Sequence, residues 1–269
     1  MVQNPRSENY RYSIVEDFSS ITPLAHIEVH WGPKKIHPLN ISQGGIALLL
    51  ENGEAFTSGD IIDLSIMIRD RSFPVKIEVK NMRSLRASCE FIEPNRNFIS
   101  ALREFLKPKF LAATLSLRDD LSKNEELKSW VPESNNVLAY VGQNQTAVFV
   151  WMGIERDLLK IFAVAADLVF EWQSKHGLRT GRLMDEHVAV NSSPESKSPP
   201  EGGHGIGNLM GTQFEKGVRW DKHSEQAVLH YFADIFLTWL NNNEAADFVE
   251  RLTNDRADDD VGLKFPKPT

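Results

Sequence analysis

The feature that most constrains this chain is a period of two in its apolar residues, repeated in short runs between residues 25 and 92. Ala25–Trp31 places Ile27, Val29 and Trp31 on one face and His26, Glu28 and His30 on the other. Ile62, Leu64, Ile66 and Ile68 repeat the pattern, as do Val75, Ile77 and Val79. Successive side chains of a strand point to opposite faces, so each run reads as a half-buried strand. Short strands at this spacing, joined by turns such as Gly32-Pro33-Lys34, predict a small antiparallel barrel or sandwich. Phe98, Leu102, Phe105 and Leu106 then follow helical spacing, predicting a helix over 95–106 that covers an open end of the strand unit. Pro108 is expected to interrupt it, with Phe110–Leu117 resuming as a second short helix.

Between two of the strand-like runs, Lys35–Leu39 and Ile46–Leu50, lies Asn40-Ile41-Ser42-Gln43-Gly44-Gly45. Taken alone it is a polar turn, because Asn and Ser bond local backbone and Gly tolerates positive φ. It also fits Asp/Asn-x-Ser-x-x-Gly, the second signature of the PilZ domain, a bacterial receptor module for cyclic di-GMP. The order and spacing of the following strands and helix resemble that family too, over roughly residues 6–115. The resemblance implies a six-stranded antiparallel β-barrel with a flanking helix. It also implies a ligand site, since the family's first signature, Arg-Arg-x-x-x-Arg, supplies guanidinium groups from an arm before the barrel. Guanidinium pairs bidentately with phosphate and stacks on purines. Arg6 and Arg11 match the first and last of those arginines, while Ser7 stands at the middle one. The ligand-binding set implied is Arg6, Arg11, Asn40, Ser42 and Gly45.

A formal net charge of -7 argues against general affinity for polymeric nucleic acid or anionic lipid, though not against a local cationic site. The one cysteine, Cys89, excludes an intrachain disulfide and alternates with Ala87 and Phe91 as a small core residue would. The first residues lack the basic and apolar regions of a signal peptide, and the most apolar stretch, near Ile161–Phe170, is broken by Asp167 and too short to insert in a membrane. These features place the chain in the cytoplasm.

The expected domain layout is a PilZ-like barrel with its arm over 1–118, a linker over 119–134, and a mixed α+β unit over 135–269. The whole is mainly β with α. Val137–Tyr140 and Thr146–Trp151 read as strands around a turn at Gly142-Gln143-Asn144. Leu158–Trp172 fits a helical stripe, yet Leu168–Gln173 alternates and Ala165-Ala166-Asp167 suits a hairpin turn. Trp172, Gly177-Leu178 and Arg182–Glu186 are similar to a β-rich segment of uncharacterised bacterial proteins, which favours strands. Residues 191–207, rich in Ser, Pro and Gly, read as a flexible loop. Asp221 is expected to cap a helix burying Val228, Tyr231, Phe232, Ile235 and Trp239, and a second helix after Asn243 to bury Ala245, Phe248, Val249 and Leu252.

No residue is assigned a catalytic or metal-binding role, and no cofactor is implied. Gly203–Gly207 lacks the strand and the Lys-Ser or Lys-Thr of a phosphate loop. The eight histidines are scattered, and no G-x-S-x-G elbow is present. The leading expectation is a non-enzymatic cyclic di-GMP receptor relaying to a protein partner. The alternatives are a degenerate PilZ-like adaptor that does not bind the nucleotide, and an enzyme with its site in the C-terminal unit.

Overall fold

The computed structural model describes residues 12–13, 27–51, 56–184, 217–240, 244–253 and 263–266. The chain divides into two compact units, and the main division falls between Ala113 and Thr114.

The first unit is built on β1 (Tyr12–Ser13), β2 (Ile27–Trp31), β3 (Lys34–Ser42), β4 (Gly45–Leu49), β5 (Ile61–Ile68), β6 (Arg71–Arg83) and β7 (Arg86–Ile92). Six of these run in the order β3-β2-β5-β6-β7-β4, and β4 pairs back onto β3 to close an antiparallel barrel. The closure is paid for by alternation: Val29, Ile36, Ile41, Leu48, Ile66, Ile77 and Val79 all point into one core. Trp31 is the exception on its run, sitting partly exposed with its ring edge against Phe56.

Helix α1 (Arg96–Ala113) inserts Phe98, Ala101, Leu102, Phe105 and Leu106 into that core. Asn95 starts it, its side-chain oxygen accepting from the Phe98 amide at 2.8 Å. The helix does not stop before Pro108 as expected but continues through it. An interior proline costs roughly 3 kcal/mol. Burial of Phe110 and Leu111, at roughly 1.5–3 kcal/mol each, offsets that cost.

The second unit is a seven-stranded antiparallel meander among the described residues, in the order β14-β13-β12-β11-β10-β9-β8. Its strands are β8 (Ser116–Leu117), β9 (Asn136–Val141), β10 (Ala147–Met152), β11 (Leu158–Ala165), β12 (Leu168–Gln173), β13 (Gly177–Leu183) and β14 (Val218–Trp220). The ambiguous stretch is a hairpin, with Ala166 at φ 57° in the turn joining β11 to β12. On one sheet face Val137, Phe149, Trp151, Phe162 and Val164 form a core.

The expected linker over 119–134 belongs to this unit instead. It carries α2 (Asp119–Ser122) and α3 (Glu125–Ser129), and Leu127 is buried in the same core. The Trp151 indole N–H donates to the Leu127 carbonyl at 2.7 Å, which fixes the segment against the sheet. On the other face Phe170 meets Phe232 and Phe236 of α4 (Gln226–Leu240). Asp221 does not cap that helix: its carboxylate accepts from the Thr180 hydroxyl at 2.6 Å, and Thr180 Oγ1 in turn accepts from the Glu225 amide. Helix α5 (Ala245–Thr253) buries Ala245, Phe248, Val249 and Leu252. The expected loop over 191–207 lies outside the described residues. Among the described residues no helix is long and apolar enough to cross a membrane.

Candidate ligand site on the barrel surface

The register between β3 and β4 shifts between Pro38 and Asn40. Pro38 has no N–H to give the ladder, and an irregularity there re-aims the residues that follow. From that point Asn40 pairs with Ala47, Ile41 with Ile46, and Ser42 with Gly45. Ile41 and Ile46 fill the barrel core, so alternation sends Asn40, Ser42, Gly45 and Ala47 to the outer face. Outward-facing strand residues are ordinarily solvated. Here Asn40 and Ser42 are each only 8% exposed.

Gln43-Gly44 makes the tight turn at the end of this pair. Ser42 Oγ donates to the Gly45 carbonyl across it at 3.4 Å, and the Gly44 carbonyl accepts from the Phe91 amide at 3.1 Å. A Cβ on Gly45 would overlap the carbonyl oxygen of Cys89 on β7, so no other residue fits without moving a strand. The Asn40 side-chain oxygen has no hydrogen-bond partner among the described residues. A buried acceptor left unmade costs about 1–3 kcal/mol, which a donor brought by a ligand would recover. The three hexamer residues expected at the site are thus brought together on one patch.

Arg6 and Arg11 lie outside the described residues. The two residues directly after Arg11 form β1, in which Tyr12 pairs with Ile41 and Ser13 with Asn40. At these two residues the chain before the barrel is paired with the strand that carries the hexamer.

The charge around the patch is mixed. Glu90 is the cross-strand partner of Gly45. Lys80 Nζ lies 3.1 Å from Glu90 and 2.7 Å from Glu78, and the hydrogen bonds it donates to these two carboxylates hold its pKa above the ordinary lysine range. Cys89, between Ser88 and Glu90, is buried, and that burial pushes its thiol up to about 11. It is a core residue, not a nucleophile.

Sequence reasoning missed Arg103. Its Nε donates to Gln43 Oε1 at 3.2 Å, joining α1 to the hexamer's turn. In sequence it is one of several charged residues on the polar side of an amphipathic helix, and nothing there separates it from Arg96.

The second unit holds a cavity of about 590 Å³ whose lining includes Asn135, Tyr140, Met152, Ile154, Arg156 and Phe265. Its titratable groups among the described residues are Tyr140 and Arg156. Burial, only partly opposed by the Arg156 charge, raises the Tyr140 phenol above its ordinary value. A protonated phenol and a permanent cation offer no base at neutral pH.

Residues 5–107 match the family model of the PilZ domain. No curated protein matches the chain. Among solved structures it is similar to an uncharacterised protein of Legionella, at 14% identity and a TM-score of 0.28, over 36% of this chain and 90% of that one. It is also similar to the inhibitor of motility of Bacillus subtilis, at 23% identity and a TM-score of 0.27, over 29% of this chain and 43% of that one. The chain thus spans less than half the length of the second.

Proposed function

Residues 5–107 of this chain are a PilZ domain, and from that premise we propose that the protein is a non-enzymatic receptor for cyclic di-GMP that passes the binding event to a protein partner. The observation that carries the reading is the buried Asn40 acceptor, without a hydrogen-bond partner among the described residues, on the outer face of β3 beside Ser42 and Gly45. In this reading a guanine edge or a backbone group held by the ligand supplies the missing donor. Arg6 and Arg11 bring guanidinium groups to the two phosphates from the arm, and the pairing of β1 with β3 favours their delivery to this face. Closure of the arm on the ligand then changes what the C-terminal unit presents to its partner. The reading places the protein in the cytoplasm, where a soluble second messenger is met.

Ser7, standing where the family's middle arginine would be, favours the other reading, an adaptor of the same fold that leaves the nucleotide unbound. One lost charge-assisted contact is worth about 1.5–3 kcal/mol, or roughly ten- to a hundredfold in affinity. A receptor that was tight becomes weak by that step, and one that was weak becomes silent. Isothermal calorimetry of the full chain with cyclic di-GMP decides between them. Saturable heat is expected, weakened about ten- to a hundredfold by Arg11→Ala and about two- to tenfold by Asn40→Ala. Absence of heat at high micromolar ligand leaves the adaptor.

A further inference from the structure

We propose that Arg103, on α1, contacts the bound nucleotide and supplies from the helix the guanidinium that Ser7 does not supply from the arm. The proposal rests on the receptor reading above and adds to it a residue outside either family signature.

The placement of Arg103 is rigid at its base. Leu102, Phe105 and Leu106 are buried in the barrel core, so the helix cannot roll without emptying that core. Arg103 itself is exposed. Its Nε edge is held by Gln43 Oε1 at 3.2 Å across 60 residues of sequence. Gln43 directly follows Ser42 and lies two residues before Gly45, so the guanidinium stands beside the patch that holds the Asn40 oxygen, which has no hydrogen-bond partner among the described residues.

The pairing of Arg103 leaves its chemistry available. Arg71 meets Glu104 at 3.2 Å and Arg118 meets Asp120 at 2.8 Å. Arg103 makes no ion pair among the described residues, and a neutral carboxamide orients it without neutralising it. With Nε occupied, its two terminal nitrogens still present a planar fork that fits phosphate bidentately or lies on a purine face. The need for such a charge is local. Glu90 sits across from Gly45, so a ligand bearing two phosphates meets an unfavourable carboxylate there, only partly offset by Lys80.

The test is calorimetry with cyclic di-GMP on the full chain, comparing wild type with Arg103→Ala, Arg103→Lys, Gln43→Ala and Arg96→Ala. Arg96 is an exposed arginine on the same helix, about two turns away and on nearly the same side. Arg103→Ala is expected to weaken binding about ten- to a hundredfold. Arg103→Lys should recover part of that loss, since it keeps the charge and loses the fork, and Gln43→Ala should cost less than Arg103→Ala. Arg96→Ala should leave affinity unchanged. Urea midpoints of all four variants should match wild type, as the altered side chains lie outside the core. If Arg103→Ala binds like wild type while Asn40→Ala is weakened, this proposal fails and the receptor reading stands. Equal losses from Arg96→Ala and Arg103→Ala would assign the effect to long-range charge and also overturn it. If wild type gives no saturable heat, both fall together.

Discussion

At the scale of single residues, the hexamer holds two glycines that obey different constraints. Gly45 faces the Cys89 carbonyl, with no room for a methyl group, whereas a Cβ on Gly44 would meet nothing within 4 Å. Gly45→Ala is therefore expected to cost about 1–3 kcal/mol, because β4 and β7 must part to admit it. Gly44→Ala is expected to fall within about 0.5 kcal/mol of wild type. Urea unfolding of the two variants reads the contrast directly, and equal midpoints would mean that β7 does not pass so close to the turn. The same crowding explains the glycine ending the motif: it permits close backbone approach, and no positive φ is involved. Asn40 illustrates the complementary case. Its carboxamide oxygen is kept out of water with no hydrogen-bond partner among the described residues, a cost that folding alone does not require a surface strand to bear.

At the scale of elements, the second sheet holds the most demanding electrostatics of the described residues. Glu171 is fully buried on β12, with Lys160 of β11 at 2.7 Å and the Arg179 guanidinium of β13 also bonded to it. Burial pulls its pKa up, but the hydrogen bonds from Arg179 and Lys160 and the Lys160 charge outweigh that and bring it below its ordinary 4.5. A carboxylate depressed in the fold contributes stability that is present above pH 4.5 and lost as the pH falls through its lower folded value. Glu171→Gln leaves Lys160 buried beside a neutral partner and is expected to cost about 3–5 kcal/mol at pH 7. The same variant should also flatten the acid limb of the stability curve. Denaturant melts of both proteins at pH 7 and below pH 4.5 check both signs; an unchanged acid limb would remove Glu171 as the titrating group. None of this cluster was legible beforehand, because Glu171 alternates with Phe170 and Trp172 as any solvated strand residue would. What was legible came from periodicity. The runs at 25–31, 61–68 and 73–82 declared the antiparallel strands of a barrel or sandwich, which the family resemblance narrowed to a barrel, and Phe98, Leu102 and Phe105 declared the helix that fills it. Segments whose burial depends on a distant partner stayed hidden. Leu127 lies in a charged stretch and is committed to the core by a bond from Trp151, and Arg103 reaches Gln43 across 60 residues. Even so, Asn40, Ser42 and Gly45 were visible as a group, since a turn keeps its residues together in space as in sequence.

At the scale of the whole molecule, the question is whether a ligand on the first unit is felt by the second. The covalent path is short. Helix α1 carries Arg103, ends at Ala113, and is followed after Thr114 and Leu115 by β8, whose Ser116 and Leu117 pair with Val141 and Tyr140 of β9. A relay needs the ligand to prefer one state of that path over another, since equal affinity for both shifts nothing. Hydrogen exchange with and without saturating cyclic di-GMP measures this across the chain. Ligand at about a hundred times its Kd adds about 2.7 kcal/mol to whatever opens with the site, or roughly a hundredfold slowing of those amides. The amides of Ile41–Leu48 are expected to slow by up to that factor, and those of Thr114–Val141 to change by a smaller, measurable amount. Slowing confined to residues before Ala113 would leave a receptor without a relay and would move the partner's binding surface onto the barrel itself. Change at β8 and β9 would instead make α1 the element through which the two units communicate, and Arg103→Ala should then remove the distant change even at ligand concentrations that still fill the site.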